Sequence, residues 1–364
     1  MSARRFAFFV LFFIFIVNTN ISFNSLIINI IQMKKNELYF AVIALIIFNF
    51  LSCKGSNRNE TVTDARNEIV KAETINKKIT ENQLVAYKNA TITGDISLID
   101  SISSVIETME STRNYIESPI IFENCTFKGK IIGRINNGKI IRLASVGKNF
   151  SFVNCTFQDE IDLQQVDFQG QVMFIDCQFQ KETTFAGSNF NFSHNFFSNC
   201  KFLNTISFAS SRFIGSANFL KTEFTKSVFQ LSVFYSTAQF GATNFNDFTD
   251  FISCRFLSSV FFNYAEFQKE VDFSGSEFLS RTEFMNCKFN FLTKFEKSLF
   301  LKEFKLNKAE IKGVFTLSDV IFVTRKPEIE SLNIIKGTDF IVKSCRYPES
   351  KELDSLYFIS GPKE

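Results

Sequence analysis

Phenylalanine recurs through the second half of the chain every 11 residues, in two interleaved series. The first series, of Phe or Leu, occupies positions 152, 163, 174, 185, 197, 208, 219, 229, 240, 251, 262, 273, 284, 295, 306 and 317. The second, Phe except for Ile311, occupies positions 157, 168, 179, 190, 202, 213, 224, 234, 245, 256, 267, 278, 289, 300, 311 and 322. One residue is gained near 191–196 and one is lost near 225–229. Sixteen units in this register predict a repeat architecture.

A small residue stands two positions before each member of the second series, so that the unit reads small-x-Phe-x-x-small-x-Phe-x-x-x. An offset of two places both side chains on one face of an extended segment. Five or six residues per side allow a short strand and a corner, but neither a helix nor a long strand. We therefore expect like sides to stack about 4.8 Å apart around a continuous core.

This pattern resembles the pentapeptide-repeat family in its Phe-rich variety. The resemblance implies an all-β, right-handed quadrilateral β-solenoid. Here alternate sides gain a residue, which predicts 11-residue half-coils and a turn of 22 residues instead of 20. The resemblance covers 150–322, where it predicts about eight coils and a rod of roughly 38 Å, and reaches back through 90–127. A Gly- and Asn-rich insert at 128–149 interrupts it.

Cysteine returns beside phenylalanine in stretches such as FVNCTF (152–157). These cysteines occupy the small position that Ser, Ala, Thr or Val fills in other units: Cys125, Cys155, Cys177, Cys200, Cys254 and Cys287. Metal ligation and disulfide bonding are the alternatives to packing. Parallel stacking points the side chains the same way, whereas a disulfide needs converging Cβ vectors and zinc needs a tetrahedral ligand set. Core packing is therefore the favoured interpretation.

The N-terminus carries two apolar segments. Residues 6–17 are short for a membrane span, and 1–32 is interpreted as an upstream extension or an extra hydrophobic segment, with Met33 as the start. Residues 33–52, basic and then apolar, resemble a bacterial lipoprotein signal peptide that ends before Cys53. That resemblance implies lipidation of Cys53, although Phe50 stands where Leu is usual; the alternative is a plain signal peptide or anchor helix. Lys54 after the cysteine points to the outer membrane.

Three further segments flank the repeat. Residues 53–84 are polar and charged and are interpreted as a tether. Residues 85–149 are expected to form irregular coils or an N-terminal cap. Residues 323–364 lose the Phe pattern, gain proline and charge, and are expected to cap the C-terminal end.

Composition and charge limit the function classes. The net charge of +3 comes entirely from Arg4, Arg5, Lys34, Lys35 and Glu37, so residues 53–364 carry 36 basic and 36 acidic side chains. A neutral body argues against nucleic-acid binding. It also disfavours the alternative function, a DNA-mimicking topoisomerase-binding pentapeptide protein, which should be acidic and lack an export signal.

The sequence shows no arrangement typical of an active site. The one histidine, His194, is interpreted as a solvated bulge residue, and no catalytic, metal, cofactor or small-molecule substrate site is predicted. Four phenylalanines fall off both series and are candidate contacts for an unknown protein partner, with corner packing as the alternative: Phe192, Phe248, Phe261 and Phe291. We therefore expect a non-enzymatic, lipid-anchored scaffold of the bacterial cell envelope.

Overall fold

The computed structural model describes residues 62–65, 68–99, 104–106, 111–329, 331–335, 337–348 and 357–360. They belong to one compact unit that runs from Thr61 to Glu364 and has a hydrophobic core of its own. The predicted segments 1–32 and 33–52, together with Cys53, lie outside the described residues.

Each turn of the chain has four short sides, numbered here faces 1 to 4 in chain order. One turn consists of the strands Val172–Ile175, Gln178–Phe179, Thr183–Thr184 and Asn189–Phe190. Each strand pairs in parallel with its equivalent in the next turn, 22 residues away in the regular part, as Phe150–Val153 pairs with Val172–Ile175. The predicted β-solenoid with 22-residue turns is confirmed.

The strands of the four faces are as follows. Face 1 contains Thr63–Asp64, Val85–Lys88, Ile120–Glu123, Phe150–Val153, Val172–Ile175, His194–Ser198, Ser216–Asn218, Ala238–Gln239, Val260–Phe261, Thr282–Glu283 and Phe304–Lys305. Face 2 contains Ile69–Lys71, Thr91–Thr93, Thr126–Phe127, Thr156–Phe157, Gln178–Phe179, Lys201–Ser207, Glu223–Val228, Asn244–Phe245, Glu266–Phe267, Lys288–Phe289, Glu310–Ile311 and Asn333–Ile334.

Lys201–Ser207 and Glu223–Val228 continue around the corner into face 3. Face 3 also contains Ile96–Ser97, Ile131–Ile132, Ile161–Asp162, Thr183–Thr184, Thr249–Asp250, Val271–Asp272, Thr293–Lys294, Phe315–Ser318, Asp339–Lys343 and Tyr357–Ser360. Face 4 contains Ser104–Ile106, Ser111–Ile116, Arg134–Asn136, Ile141–Val146, Asp167–Phe168, Asn189–Phe190, Arg212–Phe213, Val233–Phe234, Arg255–Phe256, Glu277–Phe278, Leu299–Phe300 and Ile321–Phe322.

The solenoid has about 12 turns, so the prediction of about eight was too low. Face 1 has 11 strands, and a parallel bridge between Lys305 and Glu328 adds one further turn. At about 4.8 Å per turn the stack is roughly 55 Å long. The additional turns lie mostly before residue 150, where Val85–Lys88 and Ile120–Glu123 stack beneath Phe150–Val153 in register.

Two hairpins interrupt the 11-residue spacing in these early turns, so a count of units with that spacing did not include them. Ser104–Ile106 pairs antiparallel with Ser111–Ile116, and Arg134–Asn136 pairs antiparallel with Ile141–Val146. The extra residues leave the solenoid as hairpins on face 4 and return to the same position. Residues 85–149 were expected as irregular coils or a cap, and they contain turns of the solenoid itself.

Four columns of stacked phenylalanine rings fill the interior, one from each face. The Phe240 ring lies 4.8 Å from Phe219 and 4.8 Å from Phe262, nearly parallel to both. Across the core it meets Phe251 edge-on, with centroids 5.4 Å apart at 86°. Stacked and edge-on pairs are the two favoured arrangements of aromatic rings, each worth about 0.5–1.5 kcal/mol beyond burial. Both predicted Phe series therefore point inward.

The small residue before each second-series position closes a tight corner. The residue preceding it has a positive φ, for example 53° at Asn124 and 57° at Asn286, a conformation that Asn adopts more readily than most residues. The N–H of Ser188 donates across its corner to the carbonyl of Phe185 at 3.0 Å. The hydroxyl of Ser211, one turn later, donates to that same carbonyl at 2.7 Å. A short side chain with a donor thus satisfies the second lone pair of a buried carbonyl.

The cysteines fill this same slot. All of them are buried and free: Cys125, Cys155, Cys177, Cys200, Cys254 and Cys287. Cys254 Sγ donates to the carbonyl of Phe229 at 2.9 Å, as Ser211 does in its own turn. Burial raises the pKa of the Cys254 thiol far above its usual range, so the thiol stays a protonated donor. Cys345, which the repeat pattern did not reveal, occupies the slot too and donates to Leu317.

The N-terminal end of the stack is covered by the helix Ala72–Thr80, which buries Ala72, Ile75 and Ile79 at a helical spacing. The sequence predicts a tether over 53–84, whereas the described part of that range joins the solenoid. Thr63–Asp64 pairs with face 1 and Ile69–Lys71 pairs with face 2. The three buried apolar residues of the helix join the hydrophobic core of the solenoid.

The C-terminal end is continued by segments that have lost the Phe pattern. Asn333–Ile334 extends face 2 and Asp339–Lys343 extends face 3. Tyr357–Ser360 then pairs antiparallel with Asp339–Lys343, which covers the outer edge of that strand. A covered edge cannot serve as a template for the addition of another strand.

Replacing one ring in the stack should be far more costly than replacing one on the surface. Phe240→Ala should lower the free energy of unfolding by about 3–5 kcal/mol, because it leaves a cavity in a close-packed column. The matched control is Phe261→Ala, whose ring points outward from face 1 and is half-exposed. It should cost less than about 1 kcal/mol. Urea denaturation of residues 61–364 measures both, and equal costs would contradict the inward stack.

Candidate interaction surface

The four off-series phenylalanines point outward but do not converge on one surface. Phe192 lies at the corner between faces 4 and 1 and is 38% exposed. Phe248 and Phe291 lie near the corner between faces 2 and 3, and Phe291 is 54% exposed. Phe248 and Phe261 are half-buried. These positions do not form the compact hydrophobic centre typical of a protein interface.

Two of these rings contact basic side chains of a neighbouring turn. The Phe261 ring has the guanidinium of Arg281 over it at 5.9 Å, and the Phe291 ring has Lys269 Nζ over it at 5.9 Å. Cation–π contacts at exposed sites contribute about 0.5–1 kcal/mol. They account for the positions of these two rings within the monomer.

A continuous apolar column follows the corner where face 4 ends. It consists of the residue after the second-series position in six successive turns: Ile214, Tyr235, Leu257, Leu279, Leu301 and Val323. Successive members are one turn apart, because the N–H of each donates to the phenylalanine carbonyl of the preceding turn. None is buried, and Ile214 and Val323 at its two ends are 44% and 41% exposed. We call this set the apolar column.

Three apolar residues widen the column on the face 4 side, where Val233, Leu299 and Ile321 point outward from their strands. Five intervals of about 4.8 Å make the column about 24 Å long. Single exposed apolar residues are normal on protein surfaces, whereas a contiguous patch marks a contact site.

The fold does not require apolar side chains at this position. The other half of each turn has an equivalent position, after the second-series residue of face 2. In the same six turns that position carries Leu203, which is 47% exposed, and then five polar residues: Thr225, Asn246, Gln268, Asn290 and Lys312. The backbone environments match, since Gln268 N–H donates to Phe245 just as Leu279 N–H donates to Phe256. The two corners therefore differ in their outward side chains and not in the backbone structure that the fold requires.

Reasoning from the sequence missed the apolar column because it followed the inward residues. The signal was present as a period of 22: the dipeptides Phe-Ile, Phe-Tyr, Phe-Leu, Phe-Leu, Phe-Leu and Phe-Val start at 213, 234, 256, 278, 300 and 322. In the alternate units the residue after the second-series position is polar from Thr225 onward, whereas the unit before them carries Leu203.

Charged side chains on the described faces pair between successive turns. Lys201 pairs with Glu223 at 3.0 Å, and Lys294 pairs with Glu270 at 2.6 Å. On face 3, Asp250 stacks in register on Asp272, and Asp272 on Lys294, so the run of neighbouring carboxylates there is two residues long. Exposed Lys–Glu pairs contribute at most about 1 kcal/mol each.

His194 lies at the start of a face 1 strand and is exposed, and its Nδ1 is 2.8 Å from Ser216 Oγ. The structure places no carboxylate on this pair that would orient the imidazole for catalysis among the described contacts. In the part of the chain that the structure describes, no group of three or more His, Cys, Asp or Glu side chains is placed to hold a metal ion.

Comparison of the chain with protein-family models, with curated proteins and with solved structures gives no match. Within the described ranges, no helix is both long and apolar enough to cross a membrane.

Proposed function

We propose that the protein is a non-enzymatic scaffold of the bacterial cell envelope, anchored by a lipid on Cys53, whose solenoid binds protein through one corner. The observation that carries the binding role is the apolar column. It supplies a contact surface, exposed at Ile214, Tyr235 and Val323 and half-buried at the three leucines between them, that the fold itself does not need.

The rigidity of the solenoid supports a scaffold role. Parallel strands and stacked rings hold the outward side chains at fixed intervals, so a partner meets a preformed surface and little freedom is lost on binding. The Phe spacing and the parallel β-solenoid are consistent with the pentapeptide-repeat type. We assign the chain to that type by resemblance.

The sequence before the solenoid supports the anchor. Residues 33–52 read as a basic start followed by an apolar stretch that ends at Leu51-Ser52-Cys53. A lipid at Cys53 would hold the solenoid close to a membrane surface. The DNA-mimicking alternative is not adopted, because the body is neutral and acidic side chains pair with basic ones of neighbouring turns, as Glu223 does with Lys201 and Glu270 with Lys294.

The anchor is tested by metabolic labelling with a palmitate analogue in a bacterial host. The full chain should incorporate the label and sediment with membranes, and Cys53→Ala should lose the label because the acceptor thiol is gone. Equal labelling of the variant would show that the lipid, if present, is attached elsewhere.

The binding role is tested by a photoreactive amino acid placed at Leu279 in the full chain, with the same residue at Asn290 as the matched control. Both positions follow a second-series phenylalanine, one on each corner. Illumination of intact cells should give protein adducts from Leu279 and few from Asn290. Equal adducts from the two positions, or none from either, would contradict binding through the apolar column.

A further inference from the structure

We infer that the apolar column binds a second copy of this chain, with the two solenoids antiparallel. This inference rests on the proposed binding role of the column and names its partner. It is carried by the order of the four central outward residues of face 4, which is complementary to its own reverse, whereas one turn further out Arg212 would lie opposite Ile321 of the second copy.

The outward residues of face 4 show this self-complementary order. From Val233 the order along successive turns is Val233, Arg255, Glu277 and Leu299. Reversing one copy about a point midway between Arg255 and Glu277 places each charge opposite its complement. The same operation places Val233 opposite Leu299 of the second copy. Apolar residues thus meet apolar residues, and the basic residue meets the acidic one.

The apolar column obeys the same operation. A two-fold axis that lies in the contact plane, perpendicular to the solenoid, brings Leu257 opposite Leu279 of the second copy. It also brings Ile214, at one end of the column, opposite Val323 at the other. This is an isologous contact, in which residue i meets residue j and j meets i, and it closes after two copies.

The ion pair at the centre adds to the match. Arg255 and Glu277 are already paired within one chain, with Nε and Oε2 2.8 Å apart. In the dimer the two pairs would meet around the two-fold axis as a four-membered network of alternating sign. Arg212 donates to the hydroxyl of Tyr235 at 2.9 Å, and its guanidinium lies over that ring at 5.9 Å, so it partly covers one member of the apolar column within a single copy.

The size of the contact predicts a weak dimer. A patch about 24 Å long on one corner buries less than the about 800 Å² per partner of a standard interface. We expect dissociation constants in the micromolar range for the soluble unit. Anchoring both copies to one membrane would raise their effective concentration and favour the dimer.

The experiment uses residues 61–364, which form a compact unit with its own core. Sedimentation velocity over a series of concentrations should show a monomer–dimer equilibrium. Leu279→Glu should weaken dimerisation more than about tenfold, because a charge would be buried against Leu257. Asn290→Glu, at the matched position on the other corner, should leave it unchanged. Urea denaturation of each variant shows whether it folds.

The orientation is tested by disulfide trapping between single-cysteine additions. Ile214→Cys mixed with Val323→Cys should cross-link under mild oxidation by copper phenanthroline, which accepts the two electrons released when the S–S bond forms. Each variant alone should give no covalent dimer, since equal positions lie about 24 Å apart in the antiparallel pair. Self-cross-linking of Ile214→Cys alone would show a parallel arrangement and overturn the inference.

The two proposals fail in different ways. If the wild-type unit remains monomeric at every concentration while Leu279 cross-links to a different protein in cells, the second copy is the wrong partner and the binding role stands. If the unit is monomeric and Leu279 also gives no adduct, both proposals fail.

Discussion

The stacking of phenylalanine on phenylalanine at the spacing of β-strands is the constraint on which the structure depends. Ring centroids in the columns are 4.3 Å apart for Phe179 and Phe202 and 5.4 Å apart for Phe224 and Phe245. These distances bracket the interval between neighbouring parallel strands, about 4.8 Å. A ring therefore fits best above another ring, so the same residue type returns at every turn. Because the rings are packed so closely, only a short side chain fits at each corner.

Much of the fold could be predicted because this constraint is local and repeats. The two Phe series, the inward small residues and the positions of the gained and lost residues were legible in the sequence. Phe168 pairs with Phe190 at 22 residues, and Phe174 with Phe197 at 23, so the gained residue lies between 190 and 197, within the predicted range. The N-terminal turns were legible only in part, through the resemblance over 90–127, since Ile and Tyr replace Phe at some positions there and two hairpins lengthen the turns. The helix Ala72–Thr80 was hidden in a polar segment because it needs only three apolar residues.

The outward side chains take no part in the stacking of the rings. Their identities therefore carry information about the function of the surface. Leu279 and Asn290 occupy equivalent positions in successive half-turns, yet one is apolar and the other polar. Reasoning from the core could not distinguish these halves, because their interiors are alike. The off-series phenylalanines, which were the sequence-based candidates, are dispersed over three parts of the solenoid. The apolar column lies on one corner and is continuous over six turns.

The central claim is that the chain is built from interchangeable 22-residue layers, and deleting one layer tests it most directly. Removal of 257–278 joins Phe256 to Leu279 and takes out one complete turn of 22 residues. Removal of 263–278 takes out 16 residues and leaves too few to encircle the core. Urea denaturation followed by circular dichroism should show cooperative unfolding with a slightly smaller m-value for the first variant, and loss of cooperative unfolding for the second. Equal behaviour of the two variants would contradict the layered solenoid.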